Sequence, residues 1–527
     1  MRLHFVTFAL AAIASPLEKR APSVTIANGT IVGGSSGNVE FFKGIPFAQP
    51  PVGNLRFERP QPYNSNFGEL DGTKTASLCM QNDGSSGSED CLKLLVIRPT
   101  SRPTTENLPV VVFIHGGSFA GGGAEDGNDG TPIVEKGVSL GQPFIFVSIQ
   151  YRLGAFGFLP GKEMIGNANL GLRDQRLALQ WVQDNIAAFG GDPDKVVLFG
   201  FSAGSMSTFD HTIINGGNAN GLFRGVVLAS GSMLPALNVD HPKAQEVYDT
   251  LVSRAGCGLS NNTLECLRSL NASVLQKAAY SLNTEYGHLG INLPYLPRPD
   301  PSDQFFALSP DAAVTAGKFA KVPVLSGDTE DEGTLFALTQ SNITNNAQLE
   351  SYISTYFPGY EQDTKILVDT YPDDLGISGS PYGTGLNGNL FGQFKRLASI
   401  LGDLAFILER RFHLQNVCSQ VTCYSYLNSA LHGLNVLGSF HGSDGTVLLS
   451  NLSTIPAQTQ QRYAIAFINT LDPNGGGISD PLIQWPKYTP SNPQLVHETG
   501  FWNELINDDF RATQYSFWSE NVAKFRI

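Results

Sequence analysis

Short apolar runs bounded by glycine, proline or charge recur along this chain. Residues 109–115 (PVVVFIH), 144–150, 196–199 (VVLF), 225–230, 322–326 and 421–427 are the clearest. Runs of this length bounded in this way predict buried strands. Between them, residues 172–189 carry Leu177 and Trp181 on one face and Gln180 with Asp184 on another. That spacing predicts a helix, closed by Gly190-Gly191. Residues 30–42 alternate enough to predict an early hairpin, and the prolines of GIPFAQPP (44–51) force extended and turn backbone after it. Strands alternating with helices predict an α/β fold class with a large, mostly parallel sheet. No internal repeat is present.

Composition narrows this. Length alone would suggest about three domains of roughly 150 residues. No linker interrupts the 527 residues, so residues 21–527 are expected to form one domain. Fifty-six glycines and 31 prolines imply many turns and long loops. A net charge of −13 argues against electrostatic binding of nucleic acid or anionic lipid. At the N-terminus, Arg2 and His4 precede an apolar run over 5–13, and Ala12-Ile13-Ala14 offers a small-x-small cleavage site. The run is too short to span a bilayer. Lys19-Arg20 before Ala21 adds a dibasic processing pair, so residues 1–20 are expected to be a signal peptide with a short pro-segment. Secretion, with no stable membrane anchor, is the expectation.

Secretion changes how the cysteines are read. Cys79, Cys91, Cys257, Cys266, Cys418 and Cys423 fall in three sequence-local pairs. Bridges Cys79–Cys91 and Cys257–Cys266 would each stabilise by about 2–3 kcal/mol in the chain-entropy model. Cys418 and Cys423 can bridge or stay free and buried, with the bridge favoured. Cysteine pairs at C-x2-C spacing are absent, which argues against a metal site. Sequons at Asn28, Asn261, Asn271, Asn342 and Asn451 are candidate glycan acceptors.

The chemistry gathers at strand ends. Gly200-Phe201-Ser202-Ala203-Gly204 is a G-x-S-x-G directly after an apolar strand. The glycines let strand and helix pack closely and leave the serine oxygen exposed on a strained turn. The helix that follows aims its N-terminus at developing negative charge. His115-Gly116-Gly117 and Gly121-Gly122-Gly123 follow another strand but lack the Lys and Ser/Thr of a phosphate loop. Bare backbone approaching a ligand is the better reading. Gly327-Asp328-Thr329-Glu330-Asp331-Glu332-Gly333 sits past the 322–326 strand, and Ser439-Phe440-His441-Gly442 lies far downstream. Ligands bind at the carboxyl ends of such strands, and the chain order is serine, acid, histidine. Phe305-Phe306 and the 121–130 loop are candidate pocket walls, although core packing is the commoner fate of such phenylalanines.

Across these stretches the chain resembles the type-B carboxylesterase/lipase family, which includes cholinesterases and secreted fungal lipases. The matching segments are GIPFAQPPVGNLRF (44–57), SEDCLKL (88–94), VVFIHGGSF (111–119), YRLGAFGFL (151–159), the 169–193 block, FGFSAGS (199–205), SGDTEDEGTLF (326–336), LGSFHGSD (437–444) and WPKY (485–488). The resemblance implies an α/β-hydrolase fold with a mixed central sheet. It implies Ser202 as nucleophile, Glu332 as acid, with Asp331 and Glu330 as alternatives, and His441 as base, with His432 the nearest rival. Gly116, Gly117 and Ala203 would form the oxyanion hole, and no cofactor is implied. It also implies the first two disulfides and an Arg56–Glu89 ion pair.

Two departures stand out. Position 201 is Phe where Glu, Gln or Asp is commoner; its ring is expected to point away from the reacting atoms. The Cys79–Cys91 loop has only eleven residues, mostly polar, where family lipases carry a longer apolar lid. Interfacial activation is therefore not expected. The activity implied is ester hydrolysis on small, soluble, short-to-medium-chain or aromatic esters. Alternatives are a triacylglycerol lipase or sterol esterase on the same site, or, from another class, a non-catalytic cholinesterase-like binding protein. Acyl group, alcohol and oligomeric state are not readable.

Overall fold

The structure is a computed structural model. It describes residues 21–527 except 85, 102–105, 127–128, 283–289, 450–453 and 478–481. The expected leader (1–20) and the sequon at Asn451 lie outside the described residues. Eleven strands form the central sheet: β1 (Gly34–Ser36), β2 (Val39–Pro46), β3 (Lys93–Pro99), β4 (Leu108–Ile114), β5 (Ile145–Ile149), β6 (Gly191–Phe201), β7 (Gly225–Ala229), β8 (Val324–Thr329), β9 (Cys423–Ser429), β10 (Gln494–Thr499) and β11 (Asn503–Asn507). Their spatial order is 1-2-3-5-4-6-7-8-9-10-11. Every neighbouring pair from β5 across to β10 is parallel, and the strands at both edges are antiparallel. This is the α/β-hydrolase fold.

Both sheet faces are buried, which is why the central strands read as continuous apolar runs. Val110, Val112, Ile114, Val196 and Leu198 enter one core layer; Val111, Phe113, Val197 and Phe199 enter the other. Each such fully buried side chain stabilises by roughly 1.5–3 kcal/mol. Helix α1 (Leu170–Asn185) lays Leu172, Leu179 and Val182 on the sheet. A 3-10 turn (Ile186–Phe189) extends it to Gly190, whose φ of 89° ends the helical run.

The differences from the expected elements have physical causes. Strands β8 and β9 start and end about two residues later than the apolar runs that announce them. The added residues are polar yet buried, because partners satisfy them: Asp328 accepts from Arg410 Nε at 2.8 Å and Asn428 donates to Glu498 at 3.1 Å. The expected hairpin over 30–42 is divided between two sheets. Gly34–Ser36 pairs with β2, while Gly29–Val32 joins Ser23–Ile26 and Gly68–Asp71 in a small separate sheet. Strands β3, β10 and β11 are not among the expected elements; β10 and β11 mix polar with apolar residues, as in QLVHET and NELIN.

Three disulfides close: Cys79–Cys91, Cys257–Cys266 and Cys418–Cys423. Arg56 meets Glu89 through two bonds of 2.6 and 2.7 Å and donates to Leu267, Arg268 and Leu270 carbonyls. Arg56 thus ties the first disulfide loop to the segment that follows the second. Among the described residues no helix is long and apolar enough to cross a membrane.

Candidate active site

The turn at Ser202 exists because its neighbours lack side chains. A Cβ on Gly200 would sit 2.1 Å from the Gly204 carbonyl oxygen, and one on Gly204 would sit 2.0 Å from the Ile114 carbonyl oxygen. Only glycine fits at either position. Strand β6 therefore turns straight into helix α2 (Ala203–Gly217), with Ser202 held at φ 56°, ψ −126°. Its N–H donates to the Ala229 carbonyl at 3.0 Å, so the strained backbone is anchored to β7.

Ser202 Oγ lies 2.8 Å from His441 Nε2, and His441 Nδ1 lies 2.5 Å from Glu332 Oε2. Serine and histidine are each 7% exposed, Glu332 only 1%. The other Glu332 oxygen accepts the Thr329 N–H at 2.7 Å, which fixes the carboxylate's direction. Three distant stretches meet at the carboxyl edges of β6, β8 and β9, where such sheets place their sites.

The rival acids are engaged elsewhere. Asp331 accepts from Ser380 Oγ, the Tyr382 N–H and the Ser439 N–H at 2.7–3.0 Å. Burial, with Glu330 adding to it, pushes its pKa up to about 6. It clamps the loop that carries His441. Glu330 pairs with His432, near the surface, at 2.8 Å. His115 is buried against Tyr151, hydrogen-bonds the Gly116 carbonyl, and is pushed down to about 4 by burial. It is a neutral structural residue.

The glycine-rich loop crosses above the serine. A Cβ on Gly116 would lie 2.9 Å from Ser202 Cβ, and Gly117 has φ 106°. Among the described residues neither of their N–H groups makes a backbone hydrogen bond. Ala203 opens helix α2, where the N–H has no intrahelical acceptor. Of these three residues Ala203 lines the cavity in front of Ser202, as does Ser118, which follows Gly117.

That cavity, of about 30 Å³, is lined by Phe119, Met206, Leu234, Leu293, Phe336 and Phe406, among others. Phe305 and Phe306 are not part of its lining: Phe305 lies under the Arg173 guanidinium and Phe306 is core. Of the 121–130 loop, residues 127–128 lie outside the described residues and none of the rest lines the cavity. Sequence reasoning missed Phe406. It comes from a π turn (Asp403–Ile407) between helices α3 (Phe394–Gly402) and α4 (Leu408–Val417), a stretch with no motif to mark it. It also missed Asp444, buried and held by Ser230 and Tyr426 hydroxyls; burial, then Glu332, pushes it up to about 6. One expectation is overturned. Phe201 does not point away: its ring stacks on His441 with centroids 5.4 Å apart. The ring packs, partly buried, beside Gly442 and Gly445.

Fold and site together define a hydrolase of the serine-histidine-acid type. The chain belongs to the carboxylesterase family, whose model matches residues 20–518, and it is a carboxylic ester hydrolase. It is 44% identical to "Secreted lipase 1" of Botryotinia fuckeliana, over 97% of this chain and 95% of that one. It is 42% identical to "Secreted triacylglycerol lipase LIP1" of Gibberella zeae, over 97% and 92%. Among solved structures it resembles Aspergillus niger EstA, with a TM-score of 0.80 and 26% identity over 96% of this chain and 99% of that one.

Proposed function

We propose that this chain, secreted after loss of residues 1–20, hydrolyses short-to-medium-chain or aromatic soluble esters through an acyl-enzyme on Ser202. The observation that carries the proposal is the Ser202–His441–Glu332 alignment opening on an apolar cavity. His441 Nε2 takes the Ser202 proton as Oγ attacks the ester carbonyl, and Glu332 stabilises the imidazolium that forms. The N–H groups of Gly116, Gly117 and Ala203 receive the oxyanion; one such donor is typically worth about 10²–10³ in rate. The alcohol leaves with the proton from His441. Water then repeats the attack with His441 as base, releasing the acid.

Two features support small acyl groups. The cavity is narrow, about 30 Å³, well below the roughly 300–1,000 Å³ common for small-molecule sites. The Cys79–Cys91 loop is pinned rather than free to swing. Gln81 exchanges two hydrogen bonds with Gly122, Asn82 N–H donates to Ala120, and Gln276 holds the Gln81 and Ser86 carbonyls. A second reading, triacylglycerol hydrolysis, is favoured by the names of the fungal relatives. One domain from residue 21 and surface glycans belong to the same proposal. Asn261, Asn271 and Asn342 are exposed, whereas the Asn28 amide donates to the Tyr63 and Ser65 carbonyls.

A series of p-nitrophenyl esters from acetate to palmitate, with emulsified triolein alongside, tests the substrate reading. Highest kcat/KM between C4 and C8, without a jump in rate at the emulsion threshold, is expected. An optimum at C16 with strong triolein turnover would favour the lipase reading instead.

A further inference from the structure

We infer that Phe201 is a positioning residue for the imidazole of His441, an inference that rests on His441 acting as the general base. The two hydrogen bonds of His441 lie at opposite ring nitrogens, to Ser202 and to Glu332. They hold the ring at its two nitrogens, and Cβ tethers it to the backbone. Small tilts of the ring still turn the Nε2–H vector from the serine oxygen and the departing alkoxide. A flat group packed on the ring face limits that tilt.

Phe201 supplies it. Its ring stacks on the imidazole at 5.4 Å with an interplanar angle of 27°, close to parallel. Phe406 and Phe336 pack at 4.6 and 5.2 Å, tilted by 39° and 52°. Those two also line the substrate cavity, whereas Phe201 is not among its walls. Phe201 is therefore placed to act on the imidazole without touching the acyl group. Its ring is itself seated against the backbone that carries His441: a Cβ on Gly442 would come within 3.4 Å of it and one on Gly445 within 3.2 Å. One side chain thus braces both the imidazole and the segment that delivers it.

The position also bears on charge. Charged groups set against His441 include Glu332, at Nδ1, and Asp444, buried on the helix that begins just after it. Asp328 stands beyond Glu332 and is paired with Arg410. An uncharged ring at 201 adds no further carboxylate beside the imidazole. A carboxylate there would favour the imidazolium and move the acid limb of the rate upward in pH.

The test is steady-state kinetics on p-nitrophenyl butyrate from pH 5 to 9 for Phe201→Leu, Phe201→Tyr and Phe201→Glu, with a thermal melt for each. For Phe201→Leu, kcat should fall about tenfold with KM changed less than about twofold, the pattern of lost geometry rather than lost binding. Phe201→Tyr, which keeps the flat ring, should restore kcat to within about twofold of wild type. Phe201→Glu should raise the acid-limb midpoint of kcat/KM by about 0.5–1 pH unit. The inference is overturned if Phe201→Leu keeps wild-type kcat, if its loss is not recovered by Tyr in variants of equal melting temperature, or if the limb does not move with Glu. Ser202→Ala, run in parallel, separates the two levels. Residual turnover there sinks the site assignment itself, whereas an inert Ser202→Ala with an unaffected Phe201→Leu sinks only the role of Phe201.

Discussion

The described residues hold two Ser-His-Glu constellations, and they teach what the residue types alone do not. In the first, Ser202–His441–Glu332, the links are 2.8 and 2.5 Å. In the second, Ser429–His497–Glu504, they are 2.8 and 3.0 Å. Judged by distance the two are near equals. Their settings differ. Ser202 stands at φ 56° between a strand and a helix N-terminus, with an apolar cavity before it and Glu332 sealed from water. Ser429 ends β9 in sheet pairing with Thr499, and the chain runs on into a turn rather than a helix. His497 and Glu504 are cross-strand neighbours on β10 and β11, with the carboxylate side chain 48% exposed. Such a pair contributes about 0.2–1 kcal/mol to the sheet. Free backbone N–H groups and an apolar cavity beside the serine are what separate the proposed catalytic site from a surface hydrogen-bond chain.

Breaking each triad in turn is the largest-effect experiment. Glu332→Gln should lower kcat by about 10³–10⁴, as loss of the orienting acid does elsewhere. Glu504→Gln, measured on the same ester, should leave kcat within about twofold of wild type. A comparable loss in both would erase the distinction. Next comes the oxyanion side. Gly116→Ala places a methyl 2.8 Å from the Phe201 carbonyl and 2.9 Å from Ser202 Cβ. Displacement of that loop should cost about 10²–10³ in kcat. Wild-type turnover would show that the loop absorbs the methyl without displacing the Gly116 N–H.

The smallest effect concerns stability near the second constellation. Glu498, next to His497, is fully buried, and burial pushes its pKa up to about 8. The folded state therefore prefers the protonated acid. This preference stabilises fully below the ordinary glutamate value and is lost as pH rises through about 8. Glu498→Gln mimics the neutral form. Its melting temperature should match wild type at pH 5 and exceed it by about 2–4 °C at pH 9. No gain at pH 9 would mean Glu498 is ionised in the fold at little expense.

Much of this was legible in the chain. Gly200 and Gly204 announce a turn with no room for side chains, and the clash distances bear that out. Strands β4, β5, β6 and β7 follow from apolar runs because both sheet faces are buried. The limits are equally physical. Asp328 and Asn428 look like loop residues until Arg410 and Glu498, brought by the fold, satisfy them inside strands. Phe406, from a π turn in an unmarked helical stretch, reaches His441 only through tertiary packing. The outward course expected for Phe201 fails because the imidazole delivered 240 residues downstream stacks on its ring.

The most direct measurement is covalent. Intact protein treated with a fluorinated organophosphonate, then mapped by peptide mass spectrometry, reports which hydroxyl is made nucleophilic. One adduct per chain on Ser202, lost in His441→Ala, is the predicted result. An adduct on Ser429, or a chain left unlabelled, would contradict the account.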